Sequence, residues 1–229
     1  LRHLTIEEVY ELSDAILDNN LEEVKKELGD IMLHLIFYSR IAEEKNLFNI
    51  ADVINTECEK LISRHPHIYP SADGKKIAVA DEEEVKRNWE KLKMKEGKQS
   101  VLEGVPRSLP SMVKAQRIQE KARGAGFDWE KPEQVWEKVE EELNEFQEAV
   151  SRKDQKDMSD ELGDVFFALI NYARFHNLNP DEALERTNRK FISRFRYMED
   201  KVRESGKTLH ELSLAEMDVY WNQAKTTEI

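Results

Sequence analysis

Eight acidic residues of this chain fall into two sets that share one register. Glu8, Glu11, Glu27 and Asp30 recur as Glu142, Glu145, Glu161 and Asp164, each 134 positions later. A spacing of three puts two carboxylates on one face of a helix, ~5–6 Å apart at Cβ. Two such pairs on neighbouring antiparallel helices can meet across one seam, and the short Asn19-Asn20 connection calls for that pairing. Four carboxylates gathered without a cation repel one another, and their pKa values rise. A divalent ion removes the conflict. The all-oxygen ligand set, free of His and Cys, favours Mg²⁺, with Mn²⁺ as a substitute, over Zn²⁺. A ferritin-like di-iron site would need Glu-x-x-His pairs, and both sets end in Asp instead. Such an ion on an acidic protein points to a phosphate substrate. The plainer alternative is a pair of salt-bridged surface helices. The common register, with Leu28-Gly29 and Leu162-Gly163 between the last two acids of each set, weighs against it. A mid-helix glycine costs ~1 kcal/mol relative to alanine, so close approach of a neighbouring helix or a ligand is expected at Gly29 and Gly163.

Cations and indoles repeat as well. Lys190 and Arg194 stand i, i+4 on one helical face, as do Lys60 and Arg64. Two cations on one face suit the oxygens of a polyphosphate, or simply pair with nearby acids. Trp221 and Lys225 share the spacing, as do Trp89 and Lys93; either indole could stack on a base or close a core. His34 follows Asp30 by one turn, but its counterpart is Ala168, so it reads as packing. His65 and His67 flank Pro66 and read as a capped turn, and Cys58 has no catalytic context. Neither a phosphate-binding glycine loop nor a Gly-x-Ser-x-Gly elbow is present.

The elements that must carry these residues are helices. Only 8 Gly and 6 Pro occur in 229 residues, against 36% charged and 39% apolar residues, a composition that favours helix over a many-stranded sheet. Apolar periodicity predicts helices over 4–19, 21–46, 50–64, 81–96, 111–123, 132–150, 156–177, 181–205 and 213–225. Val9, Leu12 and Ile16 form one apolar stripe and Leu28, Ile31, Met32 and Leu35 another. Leu143, Phe146, Val150 and Leu162, Val165, Phe166, Leu169 repeat them. Tyr38 and Arg40 recur as Tyr172 and Arg174. The fold class expected is all-α, a tandem duplication of a four-helix unit. Its first repeat covers residues 1–96 and its second 111–229, joined by a Gly- and Pro-containing linker at 97–110. The chain opens on Leu1 with a helical pattern at once, so residues upstream are expected.

A net charge of −12 argues against a nucleic-acid polymer as partner. A small nucleotide stays possible if a metal and local cations offset the charge. No apolar run is long enough for a membrane span, no signal peptide is visible, and a lone cysteine fits a reducing, cytoplasmic setting.

The motif Glu-Glu-x-x-Glu (Glu7, Glu8, Glu11; Glu141, Glu142, Glu145) followed by Glu-x-x-Asp (Glu27, Asp30; Glu161, Asp164) resembles the MazG nucleoside triphosphate pyrophosphohydrolases. The resemblance extends to Arg64-His65-Pro66-His67, Gly104-Val105-Pro106 and Gly126-Phe127-Asp128-Trp129, and so covers nearly the whole chain. It implies a tandem all-α protein, usually a homodimer, that converts NTP or dNTP to nucleoside monophosphate and pyrophosphate with Mg²⁺, a nucleotide-pool house-cleaning activity. It implies Glu142, Glu145, Glu161 and Asp164 as metal ligands, Lys190, Arg194 and Lys225 as phosphate contacts, and Trp221 beside the nucleotide. Lys60, Arg64, Trp89, Lys93 and the first acid set are their counterparts. Glu141, rotated ~100° from Glu142 on the helix, is expected to orient the attacking water. Two features depart from the family pattern. A Cys-Pro-Trp-Asp segment ahead of the first acid set is absent, and Asp157, beside Lys156, stands where some members carry lysine. Because the Gly126-Phe127-Asp128-Trp129 segment ahead of the second acid set is complete, the second repeat is expected to be the main site. A narrow dUTP- or dCTP-type pyrophosphatase and a non-catalytic helical module that binds a nucleotide or a protein partner are the rival readings.

Overall fold

The computed structural model describes residues 1–66, 68–69 and 100–227, and every regular element among them is helical. The first three helices are α1 (Arg2–Leu17), α2 (Leu21–Glu44) and α3 (Ile50–Arg64). After residue 100 come α4 (Ser111–Gly124), α5 (Pro132–Arg152), α6 (Gln155–Phe175), α7 (Pro180–Glu204), a 3₁₀ turn at Leu209–Glu211, and α8 (Leu214–Thr227). The ends differ from the periodicity-based expectation by at most two residues, because caps rather than apolar spacing end helices. Asn177, at positive φ, and the Asn179 cap, for instance, terminate and restart the chain between α6 and α7. The helix expected over 81–96, with Trp89 and Lys93, lies outside the described residues, as does most of the loop at 66–80.

The chain divides into two compact units, Leu1–Leu92 and Lys93–Ile229. In the first, α1 pairs with α2, and α2 touches α3. In the second, α5 pairs with α6 and α7 with α8, while α4 packs on both α6 and α7. Both acid-bearing hairpins turn in the same way. One residue in the left-handed region, Asn19 (φ 56°) or Lys153 (φ 57°), is followed by a cap, Asn20 or Asp154. The Asn20 side chain accepts from the Glu23 amide at 3.2 Å; the Asp154 carboxylate accepts from the Lys156 and Asp157 amides at 3.0 and 3.1 Å. These turns keep the 134-residue offset. It then shrinks, because α6 has 21 residues against 24 in α2 and the loop to the next cap is one residue shorter, so that at the caps Asn49 and Asn179 the offset is 130. That is the offset separating Lys60 and Arg64 from Lys190 and Arg194.

Of the apolar stripe residues Val165 is buried, and most of the others are exposed in the single chain. Val9, Ile16, Leu28, Met32, Leu35, Leu143, Val150, Leu162, Phe166 and Leu169 are all exposed in the single chain. The seam between α5 and α6 is lined by small residues, Val135, Val139, Ala149, Val165 and Ala168, all buried. Small side chains let paired helices approach closely, and most of the larger stripe residues stay exposed. A separate core of Met198, Val202 and Leu212, with Phe195, Leu209, Met217 and Tyr220 against it, joins α7 to α8.

Candidate active site

The hairpins bring three of the four acids of each set together. Glu8, Glu11 and Glu27 each offer a carboxylate oxygen, and these lie within 4.8 Å of one another; Glu142, Glu145 and Glu161 do the same. Asp30 and Asp164 stand outside these trios, although the Asp30 charge still acts on Glu27. In the first trio Glu27 is buried, 7% exposed, and its Oε2 has no hydrogen-bond partner. In the second the buried member is Glu142, also 7% exposed, on the other helix of the hairpin. Burial, then the charges of Glu11, Glu8 and Asp30, hold the Glu27 carboxyl above the usual carboxylate range. Burial, then Glu142 and Glu161, do the same to Glu145, while Lys138 pulls it back.

Carboxylates raised by burial and by one another's charge, with an orphaned buried oxygen in the first trio, are what a metal-binding set of acids shows before the ion arrives. The donors fit Mg²⁺ or Mn²⁺, hard ions that take carboxylate oxygen. At Gly29 and Gly163 an added Cβ would meet nothing within 4 Å. The expected approach of a neighbouring helix is therefore not the reason for glycine there; the space beside each acid pair is open within the chain.

Lys138 escapes a reading by acid spacing alone. Its Nζ lies 2.8 Å from Glu142 and 2.9 Å from Glu141, so the two consecutive acids share one ammonium. Those two bonds hold Lys138 protonated well above the ordinary lysine range. The signal was the i, i+4 spacing of Lys138 and Glu142. Asp128 and Arg174 also join. Arg174 bonds Asp128 through two nitrogens, one at 2.9 Å and the other at 2.5 Å, and Asn171 at 2.7 and 3.0 Å. This largely buried pair ties the Gly126-Phe127-Asp128-Trp129 loop, where Gly126 has φ 91°, to the helix that carries Glu161. Arg40, its register mate, is exposed and pairs with Glu43 and Glu44 on its own helix.

The cation and indole candidates of the second unit gather on α7 and α8. The Arg194 guanidinium sits over the Trp221 ring at 5.9 Å, and Phe191 packs on the same ring with centroids 5.0 Å apart. Lys190 is exposed, and Lys225 donates to Asn222 at 3.2 Å. In the first unit Lys60 pairs with Glu57, and Arg64 is half-buried near the end of α3. His65 caps α3, its ring Nδ1 2.7 Å from the Leu61 carbonyl, and His34 is buried. Asp157 pairs with Arg152 at 3.1 Å. Among the described residues no helix is long and apolar enough to cross a membrane.

A family model described as the MazG nucleotide pyrophosphohydrolase domain matches residues 1–69 and 130–198, one segment around each acid set. The nucleoside triphosphate pyrophosphohydrolase/pyrophosphatase MazG of Thermotoga maritima is 41% identical over 228 residues, 98% of this chain and 85% of that protein. The nucleoside triphosphate pyrophosphohydrolase of Escherichia coli (strain K12) is 35% identical over 231 residues, 98% of this chain and 86% of its own length. That of Mycobacterium tuberculosis is 34% identical over 130 residues, 56% of this chain and 38% of that protein.

Proposed function

The chain belongs to the MazG nucleotide pyrophosphohydrolase family, and from that premise we propose that it hydrolyses nucleoside triphosphates to nucleoside monophosphate and pyrophosphate, with Mg²⁺ as cofactor. The observation that carries the reading is the convergence of Glu142, Glu145 and Glu161 within 4.8 Å on one hairpin of the second unit. Together with Asp164 they would hold the ion, which when bound supplies charge neutralisation for a triphosphate. Lys190, Arg194 and Lys225 bind phosphate oxygens, with Trp221 against the nucleoside. Glu141 orients the water that attacks the α-phosphorus, and pyrophosphate leaves. The bond from Lys138 gives Glu141 a fixed direction for that task.

The second repeat, over 111–229, is the main site in this reading, and the first, over 1–96, is its duplicate. The working form is a homodimer. Its support is the outward-facing apolar stripe of each acid-bearing hairpin, which a second copy would cover. A lone cysteine and the nucleotide substrate favour the cytoplasm.

The test is pyrophosphate release from a panel of NTPs and dNTPs with and without Mg²⁺. Wild-type protein is expected to turn over several bases, only with the metal. Glu142→Gln should lower kcat by a factor of about 100 or more, since a metal ligand acts on the transition state, and Lys190→Ala should raise KM. Full turnover by Glu142→Gln at saturating Mg²⁺ would refute the metal assignment. Turnover of dUTP or dCTP alone would replace house-cleaning with a narrow pyrophosphatase.

A further inference from the structure

The two acid trios are alike in residue type and spacing but not in counter-charge. In the second, the Lys138 ammonium lies 2.8 Å from the buried Glu142 and neutralises part of the cluster. Its register mate 134 positions earlier is Leu4, which carries no charge. Among the described residues no ion pair joins Glu8, Glu11 or Glu27 to a cation; Lys26, the sequence neighbour of Glu27, pairs with Glu23 at 2.7 Å instead. Glu27 Oε2 is shut away from water without a donor. A carboxylate oxygen in that condition is costly, and a cation among the three acids would supply the missing partner. The first trio thus has both a greater uncompensated negative charge and an unmet coordination need, while the second has its own built-in cation.

Resting on the magnesium reading above, we propose that the first repeat is the chain's tighter site for a bare divalent cation. Its trio fills in the absence of nucleotide, at concentrations that leave the second trio mostly without one. The residue pair Leu4 and Lys138 sets the difference. A permanent positive charge at hydrogen-bonding distance from a ligand opposes entry of a second cation, and its absence leaves the full attraction. The duplication has then divided labour by one substitution: a standing ion in the first unit, and an ion that competes with Lys138 in the second.

The experiment is Mn²⁺ titration of the full, metal-free chain without nucleotide, with free Mn²⁺ read by electron paramagnetic resonance. Wild type is expected to give two classes of site whose Kd values differ by about tenfold or more. Glu27→Gln should remove the tighter class. Leu4→Lys should weaken that class by about tenfold, and Lys138→Met should tighten the weaker class by about the same factor. Leu4 is 38% exposed, so a lysine there keeps access to solvent, and circular dichroism checks each variant's helix content. Should Leu4→Lys lose helix, Lys138→Met alone decides. One class of site in wild type, a tight class that survives Glu27→Gln, or a weak class unmoved by Lys138→Met would overturn the proposal. Those outcomes leave Mg²⁺-dependent pyrophosphate release intact. Absence of that release along with absence of any Mn²⁺ binding would instead sink the reading beneath it.

Discussion

Glu27 is the acid whose surroundings say most about pH. Burial and the charges of Glu11, Glu8 and Asp30 raise its pKa in the folded protein. A group with a raised folded pKa holds its proton more tightly when folded than when unfolded. Its stabilising contribution is therefore fully present below the unfolded value of about 4.3, and is lost as pH rises through the folded value. Glutamine mimics the protonated acid at every pH. Metal-free Glu27→Gln should accordingly gain stability relative to wild type as pH rises from about 4 to about 8, read as the difference in urea midpoints. A difference that does not change with pH contradicts the assignment. Saturating Mg²⁺ should reverse the sign, because at the first trio it stabilises only the chain that keeps Glu27, while the second trio is the same in both. The acid positions were legible from spacing alone. That Glu27 is the buried member of one trio and Glu142 of the other was not, because i, i+3 spacing says which acids share a face and not how deep each sits.

At the scale of elements, the hairpin turns and the Asp128–Arg174 clamp set the geometry. The clamp ties the loop ahead of α5 to the far end of α6, so it closes the open end of the hairpin whose turn lies at Lys153. Arg174 is 11% exposed and Asp128 20%. Removing one partner of such a pair leaves the other poorly solvated, so Arg174→Ala should cost about 3 kcal/mol of stability. Chemical denaturation measures this, and a loss below about 0.5 kcal/mol would mark the pair as no stronger than a surface bridge. Arg40→Ala, at the register mate, should fall in that lower range, because Arg40 pairs only with exposed acids of its own helix. Among the described residues, helix order and the antiparallel pairing of the acid-bearing helices were legible in the sequence from period and short connections. The differing fates of Arg40 and Arg174 were not, since both occupy the same place in the repeat and only the loop carrying Asp128 separates them.

For the whole molecule, the outward apolar stripes matter most. Phe166 is 52% exposed and Met32 62% in the single chain. Exposed apolar surface of this extent along a helix marks an interface. A charged residue there should split the proposed homodimer while leaving each chain folded. Phe166→Asp is expected to move the mass measured by light scattering from dimer toward monomer with unchanged helix content; an unchanged mass would place any interface elsewhere. By itself the sequence determined the all-α class, the duplication, and which acids share a register. These depend on local period and on a register that survives any rigid rearrangement. Tertiary structure alone decided that most of the large apolar stripe residues are exposed in the single chain, that three acids of each set converge while the Asp lies outside the trio, and that Lys138 bonds an acid of the second trio. Those outcomes follow from which face of each helix meets its partner, and an apolar stripe looks the same in sequence whether it fills a core or awaits another chain.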